Sequence, residues 1–436
     1  MQRLAIFLTL LPWWAISPKS IKTYYDEGRT RVREEYVVAS SDNQTPDGAY
    51  RRFSRQGKLE LEGTFSNGKR SGTFFEYTDE GKLVRKINYL DGLRHGPVEV
   101  FDENGKIVQR AYYQNNHLVD SVQSYFETGM KKNETFMVKG KPEGLVKEFY
   151  PTGQLRKEVP YKNRKPNGVA KSYYDNGVLE TEANFRNGMI VDFYKTYYRN
   201  AQLETSSILQ KGKDLGQFRH YDSLAHLLLE GTFKNGLPHG NSIGYYIDGV
   251  VRHRFQYYEG GRTGTNYVYY HNGTVQTRET VSRSGFDVYE VSFTEEGLLI
   301  YEKHYFKGSP EGKWVYYKAD GKSPDVVERY EKGKLHGLKI TYHDSGEKAT
   351  EQMYQHNLIT GPVKSYYDNG KIQWECTYRG SRMHGLYTAY HPNGKIKEQG
   401  EYIANKKHKE WNEFDEHGKL TNTLVFRAGI LIEPKD

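Results

Sequence analysis

Residues 168–192 read GVAKSYYDNGVLETEANFRNGMIVD. Val169 to Tyr174 is an extended stretch ending in aromatics, and Asp175-Asn176-Gly177 is a turn. Val178 to Phe185 is a return strand, and Arg186-Asn187-Gly188 is a second turn leading onward. Asn-Gly is the strongest short hairpin signal, because both residues tolerate positive φ. Nothing in the stretch has helical length or period. The unit is one β-hairpin plus a connecting turn.

The same unit recurs with a step of 24 residues. Its opening position runs Gly48, Gly72, Gly96, Asp120, Gly144, Gly168, Asp192, Gly216, Gly240, Gly264, Val288 and Gly312, then Gly337, Gly361, Gly385 and Lys409. The late arrival of Gly337 marks a one-residue insertion, placed near Pro324. Five residues past each opening stands an aromatic, from Phe53 through Tyr77 and Tyr173 to Phe414, sixteen in register with none missing. A repeat too small to bury its own apolar face must stack on its neighbours. The sequence therefore predicts an all-β chain, an elongated antiparallel β-meander solenoid of about sixteen 24-residue β-hairpin repeats. Residues 18–47 read as a degenerate first repeat and loop, and 48–436 as a continuous array with a C-terminal cap. Weak points are expected where Asn200-Ala201 and Leu224-Ala225 replace the turn glycine.

The return strands commonly carry an aliphatic residue two positions after the turn glycine or its replacement (Leu59, Leu83, Ile107, Leu155, Leu179, Leu203) and an aromatic six further on (Phe65, Tyr89, Tyr113, Tyr161, Phe185). The even separation predicts one shared, packed face. Phe74, Val98, Val122 and Val146 stand three residues before the invariant aromatic, the wrong parity for that face unless a β-bulge intervenes.

Composition fits a thin fold. Only 36% of the 436 residues are hydrophobic, yet 14% are aromatic and 38 are Tyr. Tyr buries a flat ring while its hydroxyl stays hydrated, and disordered chains are poor in aromatics. The charge of +8 comes from 63 basic and 55 acidic residues interspersed along the chain, without the basic stripe that nucleic-acid binders carry. The lone cysteine, Cys376, excludes an internal disulfide framework and a cysteine-rich zinc site. Residues 1–17 combine Arg3, an apolar run from Leu4 to Ile16 and the small-x-small step Ala15-Ile16-Ser17. They read as a signal peptide, so the chain is expected to be exported to the periplasm, envelope or medium; retention of these residues would leave it cytoplasmic.

No constellation of catalytic type stands out, and no metal or cofactor is expected. The His-Gly steps at His95, His239, His336 and His384 fall on separate turns, whereas zinc needs three or four converging ligands. Glu62, Glu134, Glu158, Glu182, Glu230, Glu302 and Glu375 share one repeat position and read as a cross-strand ladder with Lys or Arg. The Tyr-Tyr pairs suggest a surface. One ring of each pair should pack, while Tyr174, Tyr198, Tyr246, Tyr270 and Tyr367 should be exposed as a row able to bind a protein partner. The alternative is that both rings merely cover a thin sheet.

The segment Tyr366-Tyr367-Asp368-Asn369-Gly370-Lys371-Ile372, with Glu375 and Tyr378, resembles the MORN repeat variant. The likeness covers nearly the whole chain. It implies a repeat scaffold, with contact to a protein partner or to an anionic membrane surface. Bacterial proteins of this pattern are often grouped as YwqK-family antitoxins, which implies the further possibility of a toxin-neutralising protein.

Overall fold

The computed structural model describes residues 19–42, 44–209 and 215–432. The export-signal reading of residues 1–17 falls outside them. The described secondary structure is entirely β, and within each unit successive full-length strands pair antiparallel. Contacts divide the chain into two units, 1–206 and 207–436. The division falls in the repeat where Ala201 stands in for the turn glycine, at φ 68°. Within each unit, substantial contact runs between strands that follow one another in the chain, so each unit is a meander without a second layer.

Two kinds of turn alternate. In the first, Tyr174 N–H bonds to Val178 O at 2.8 Å and Gly177 N–H to Tyr174 O at 2.9 Å. Only the glycine has positive φ, at 85°. This is a type I turn closed by a left-handed residue, so the expected positive φ at Asn176 is not used. In the second kind both residues are left-handed, as at Asn187 (52°) and Gly188 (86°). That is the two-residue type I′ turn, which matches the twist of the flanking strands. The inserted residue lies in a first turn, where Lys318 N–H reaches Ser323 O at 2.9 Å, one residue further than usual.

Bulges reorganise the faces. The opening glycine is left-handed in most repeats (Gly72 at φ 74°), and Asp120, Asp192 and Lys409 adopt 65°, 62° and 64° in its place. The register against the preceding return strand shifts there, between Glu62 and Thr64 and between Ile87 and Tyr89. A second shift sits at the invariant aromatic, at Glu76/Tyr77, Ser172/Tyr173 and Ala389/Tyr390, with Val84, Glu180 and Lys397 as the extra residues on the return strands. Tyr77 therefore pairs with Leu83, while Phe74 pairs with Ile87. Leu83 and Tyr89, expected on one face, lie on opposite faces because the bulge at Val84 reverses the alternation. Phe74 and Tyr77 also face opposite ways, so both faces carry apolar cover.

The face of Phe74 holds the best-buried groups. Phe74 and Trp411 are each 0% exposed, and Leu61, Val363 and Cys376 are buried. Burial pushes the Cys376 thiol pKa up. Phe74 is covered edge-on by Phe65 and Tyr89, with ring centroids at 5.7 and 5.2 Å, and by the Arg70 guanidinium at 4.9 Å. Small residues sit beneath these rings. A Cβ on Gly63 would lie 2.5 Å from the Phe74 ring, and one on Gly400 would overlap Trp411. Neither glycine has positive φ, so space alone requires it. Gly63→Val is expected to cost about 1–3 kcal/mol by overpacking. Combining Gly63→Ala with Phe74→Leu should cost less than the sum of the two single changes. Urea denaturation of the three variants checks this.

Candidate binding surface

The invariant tyrosine of a repeat ends its outgoing strand and reaches backwards. Tyr77 Oη donates to Glu62 at 2.7 Å, Tyr173 to Glu158 at 3.1 Å, Tyr245 to Glu230 at 2.7 Å and Tyr390 to Glu375 at 2.8 Å, each fifteen residues earlier. Tyr366 makes the same bond to Glu351 at 2.7 Å. The glutamates also meet cross-strand cations, as in Arg219–Glu230 at 3.1 Å and Lys364–Glu375 at 3.6 Å. The shared glutamate position is thus a ladder of tyrosine, carboxylate and cation. Burial, reinforced by the carboxylate, pushes Tyr77, Tyr245 and Tyr366 up to about 12. The Tyr245 hydroxyl, aided by Arg219, holds Glu230 below the usual carboxylate range.

The residue after the invariant aromatic opens the first turn and reaches forwards. Tyr174 Oη donates to Tyr197 O at 2.7 Å, Tyr246 to Tyr269 O at 2.9 Å, Tyr270 to Phe293 O at 2.9 Å and Tyr367 to Tyr390 O at 2.7 Å, each to the next repeat. Tyr198 holds the same position and also has an interaction partner. All five rings are half-buried rather than the exposed row expected. Tyr174, Tyr246, Tyr270 and Tyr367 are inter-repeat ties that leave part of the ring in solvent. Other donors fill the same role. His391 Nε2 bonds to Phe414 O at 2.9 Å, and Lys318 Nζ to Tyr342 O at 3.2 Å. His343 Nε2 meets Tyr366 O at 2.8 Å while its Nδ1 meets Asp368 at 2.9 Å.

Six of these units are MORN repeat variants. The profile of that repeat matches residues 70–91, 94–115, 142–163, 166–187, 359–379 and 383–404. Each match runs from just before the bulged opening residue to the second turn, so the MORN unit carries both bulges and the first turn; in four of the six its aromatic is the tyrosine that bonds back to the preceding repeat. No curated protein sequence matches the chain. Solved structures with some likeness include "Crystal Structure of TcdB2-TccC3-TEV", at 10% identity and TM-score 0.16, covering 93% of this chain and 25% of that one. Another is "Structure of Photorhabdus luminescens Tc holotoxin pore, Mutation TccC3-D651A", at 12% identity and TM-score 0.15, covering 95% and 24%. The chain spans about a quarter of the length of those chains.

The remaining sequence motifs stay dispersed. His239 packs on Tyr258 at 5.4 Å between ring centroids, and His336 lies 3.6 Å from Glu331. Among the described residues, no three histidine, cysteine or carboxylate groups converge as metal ligands. Among the described residues one partly enclosed hollow of about 220 Å³ is lined by Phe255, Arg262, Asn266, Glu279 and Glu290.

The tyrosine–glutamate ladder stabilises the fold while tyrosine is neutral and glutamate charged. Tyr245 is raised on folding, so its contribution is complete below about pH 10 and is lost as pH climbs through about 12. Glu230 is lowered, so its contribution is present above about pH 4.3 and fades as pH falls. Tyr245→Phe should flatten both limbs of a plot of melting temperature against pH.

Proposed function

We propose that this chain is a non-catalytic repeat scaffold, exported from the cytoplasm, that binds a protein partner along its aromatic-rich sheet. The observation that carries the reading is the forward tie. Tyr174, Tyr246, Tyr270 and Tyr367 are each anchored at the hydroxyl by a backbone carbonyl, which fixes the ring while part of it stays in solvent. Tyrosine already offers contact area at low entropic cost. Anchoring removes the rotamer freedom that binding would otherwise have to freeze. Successive rings such as Tyr246 and Tyr270 stand two strands apart, at about 9.6 Å, which suits a partner that lies along the repeats rather than one captured in a pocket.

A photo-crosslinking amino acid at position 174, 246 or 367 should trap one discrete species in cells. The same residue at the first-turn tips Gln56 and Glu127 should not trap it. No crosslink at the ring positions, or an identical pattern at the tips, would count against the surface. Mass spectrometry of the N-terminus tests the export part. A chain starting near Pro18 or Ile21 is expected, and an intact Met1 in the cytosol would sink it.

A further inference from the structure

Along the sequence the two signs of charge are interspersed, but the fold sorts part of them onto one edge. Three consecutive second turns of the first unit are Val138-Lys139-Gly140-Lys141, Lys162-Asn163-Arg164-Lys165 and Arg186-Asn187-Gly188-Met189. All three have the two-residue left-handed geometry, at Lys139/Gly140, Asn163/Arg164 and Asn187/Gly188. They are locked side by side. Asn163 N–H bonds to Glu143 Oε2 at 3.0 Å, Gly188 N–H to Pro166 O at 2.8 Å and Asn187 N–H to Asn167 Oδ1 at 3.3 Å. Lys139, Lys141, Lys162, Arg164, Lys165 and Arg186 are all exposed. None of them forms an ion pair with another described residue. Glu143, the acid within this row, spends one carboxylate oxygen on the Asn163 amide.

Apolar groups flank the cations. Met189 is 69% exposed, Val138 54%, Phe136 43% and Ile190 39%. Like charges held on rigid tips repel one another, and apolar side chains of this size gain by leaving water. A ligand that relieves both must be acidic and amphipathic.

We propose that this edge docks an acidic amphipathic helix of a partner polypeptide. The inference rests on the scaffold reading and names the chemistry of the partner. The turns repeat at about 9.6 Å, two strand spacings. An α-helix advances about 10.5 Å in seven residues, so carboxylates one heptad apart meet successive turns while apolar residues between them reach Val138 and Met189. Single-stranded nucleic acid fits less well, because its bases stack on aromatic rings and three of the four apolar groups here are aliphatic.

The test uses the full chain and a fluorescein-labelled helical peptide of three heptads, with Glu in each heptad and Leu at the intervening apolar positions, read by fluorescence anisotropy. Binding should weaken about tenfold or more in Lys162→Glu/Arg164→Glu/Lys165→Glu, and similarly when salt rises from about 50 to about 300 mM. Met189→Ser/Ile190→Ser should weaken it severalfold while the salt dependence remains. Circular dichroism of each variant verifies the fold. Unchanged binding by the triple variant overturns the proposal. So does tighter binding to a thymidine oligonucleotide or to phosphatidylcholine–phosphatidylserine vesicles than to the peptide. Failure of the peptide alongside a discrete crosslink at the tyrosine positions overturns the edge and leaves the scaffold reading standing.

Discussion

A sheet without a second layer has nothing behind it to bury its rings against. Each ring must therefore find cover from the strand beside it and from the next repeat. The hydroxyl that Tyr174 gives to Tyr197 O, and Tyr367 to Tyr390 O, is the local answer to that constraint. It pins one turn to the end of the following outgoing strand. At the opposite edge the second turns make the matching bond, as Gly188 N–H does to Pro166 O. Between the two edges the bulges let both faces carry aromatic and aliphatic side chains. Stability here is a sum of neighbour terms, as expected of a quasi-one-dimensional fold.

This economy has a functional side. Groups that hold the repeats together are engaged with one another at a recurring position. The glutamates that share one repeat position accept from tyrosine and meet Lys or Arg. The groups left facing solvent are partial ring surface on the sheet and side chains at the turn tips, and on the proposed scaffold reading their regular spacing would suit something long rather than something small.

The repeat, the turn positions and the insertion before Gly337 were legible in the sequence, because glycine, asparagine and in-register aromatics mark them directly. The face assignment was not. Whether Leu83 and Tyr89 share a face depends on an extra residue, Val84, that becomes visible only when paired strands are compared. The backward bond could have been found from the fifteen-residue interval between Glu62 and Tyr77. The forward bond could not, because its acceptor is a backbone carbonyl that no residue type announces. The basic edge escaped for a different reason: Lys139, Arg164 and Arg186 are separated along the chain by acids such as Glu158, Asp175 and Glu182 that lie away from the second turns, and Glu143, which stays, is tied to the Asn163 amide.

The forward tie also acts as a ruler. Its donor and acceptor are separated by twenty-three residues within a repeat of twenty-four, so its register depends on the step and not on which repeats are involved. Excising or duplicating a whole repeat hands each broken tie an equivalent partner. A change of any other length must be absorbed within a turn, as at Lys318–Ser323. Recombination between repeats can thus lengthen or shorten such an array in whole steps while every remaining step keeps its geometry. Array length becomes a heritable trait that can drift or be selected separately from the residues that define each step.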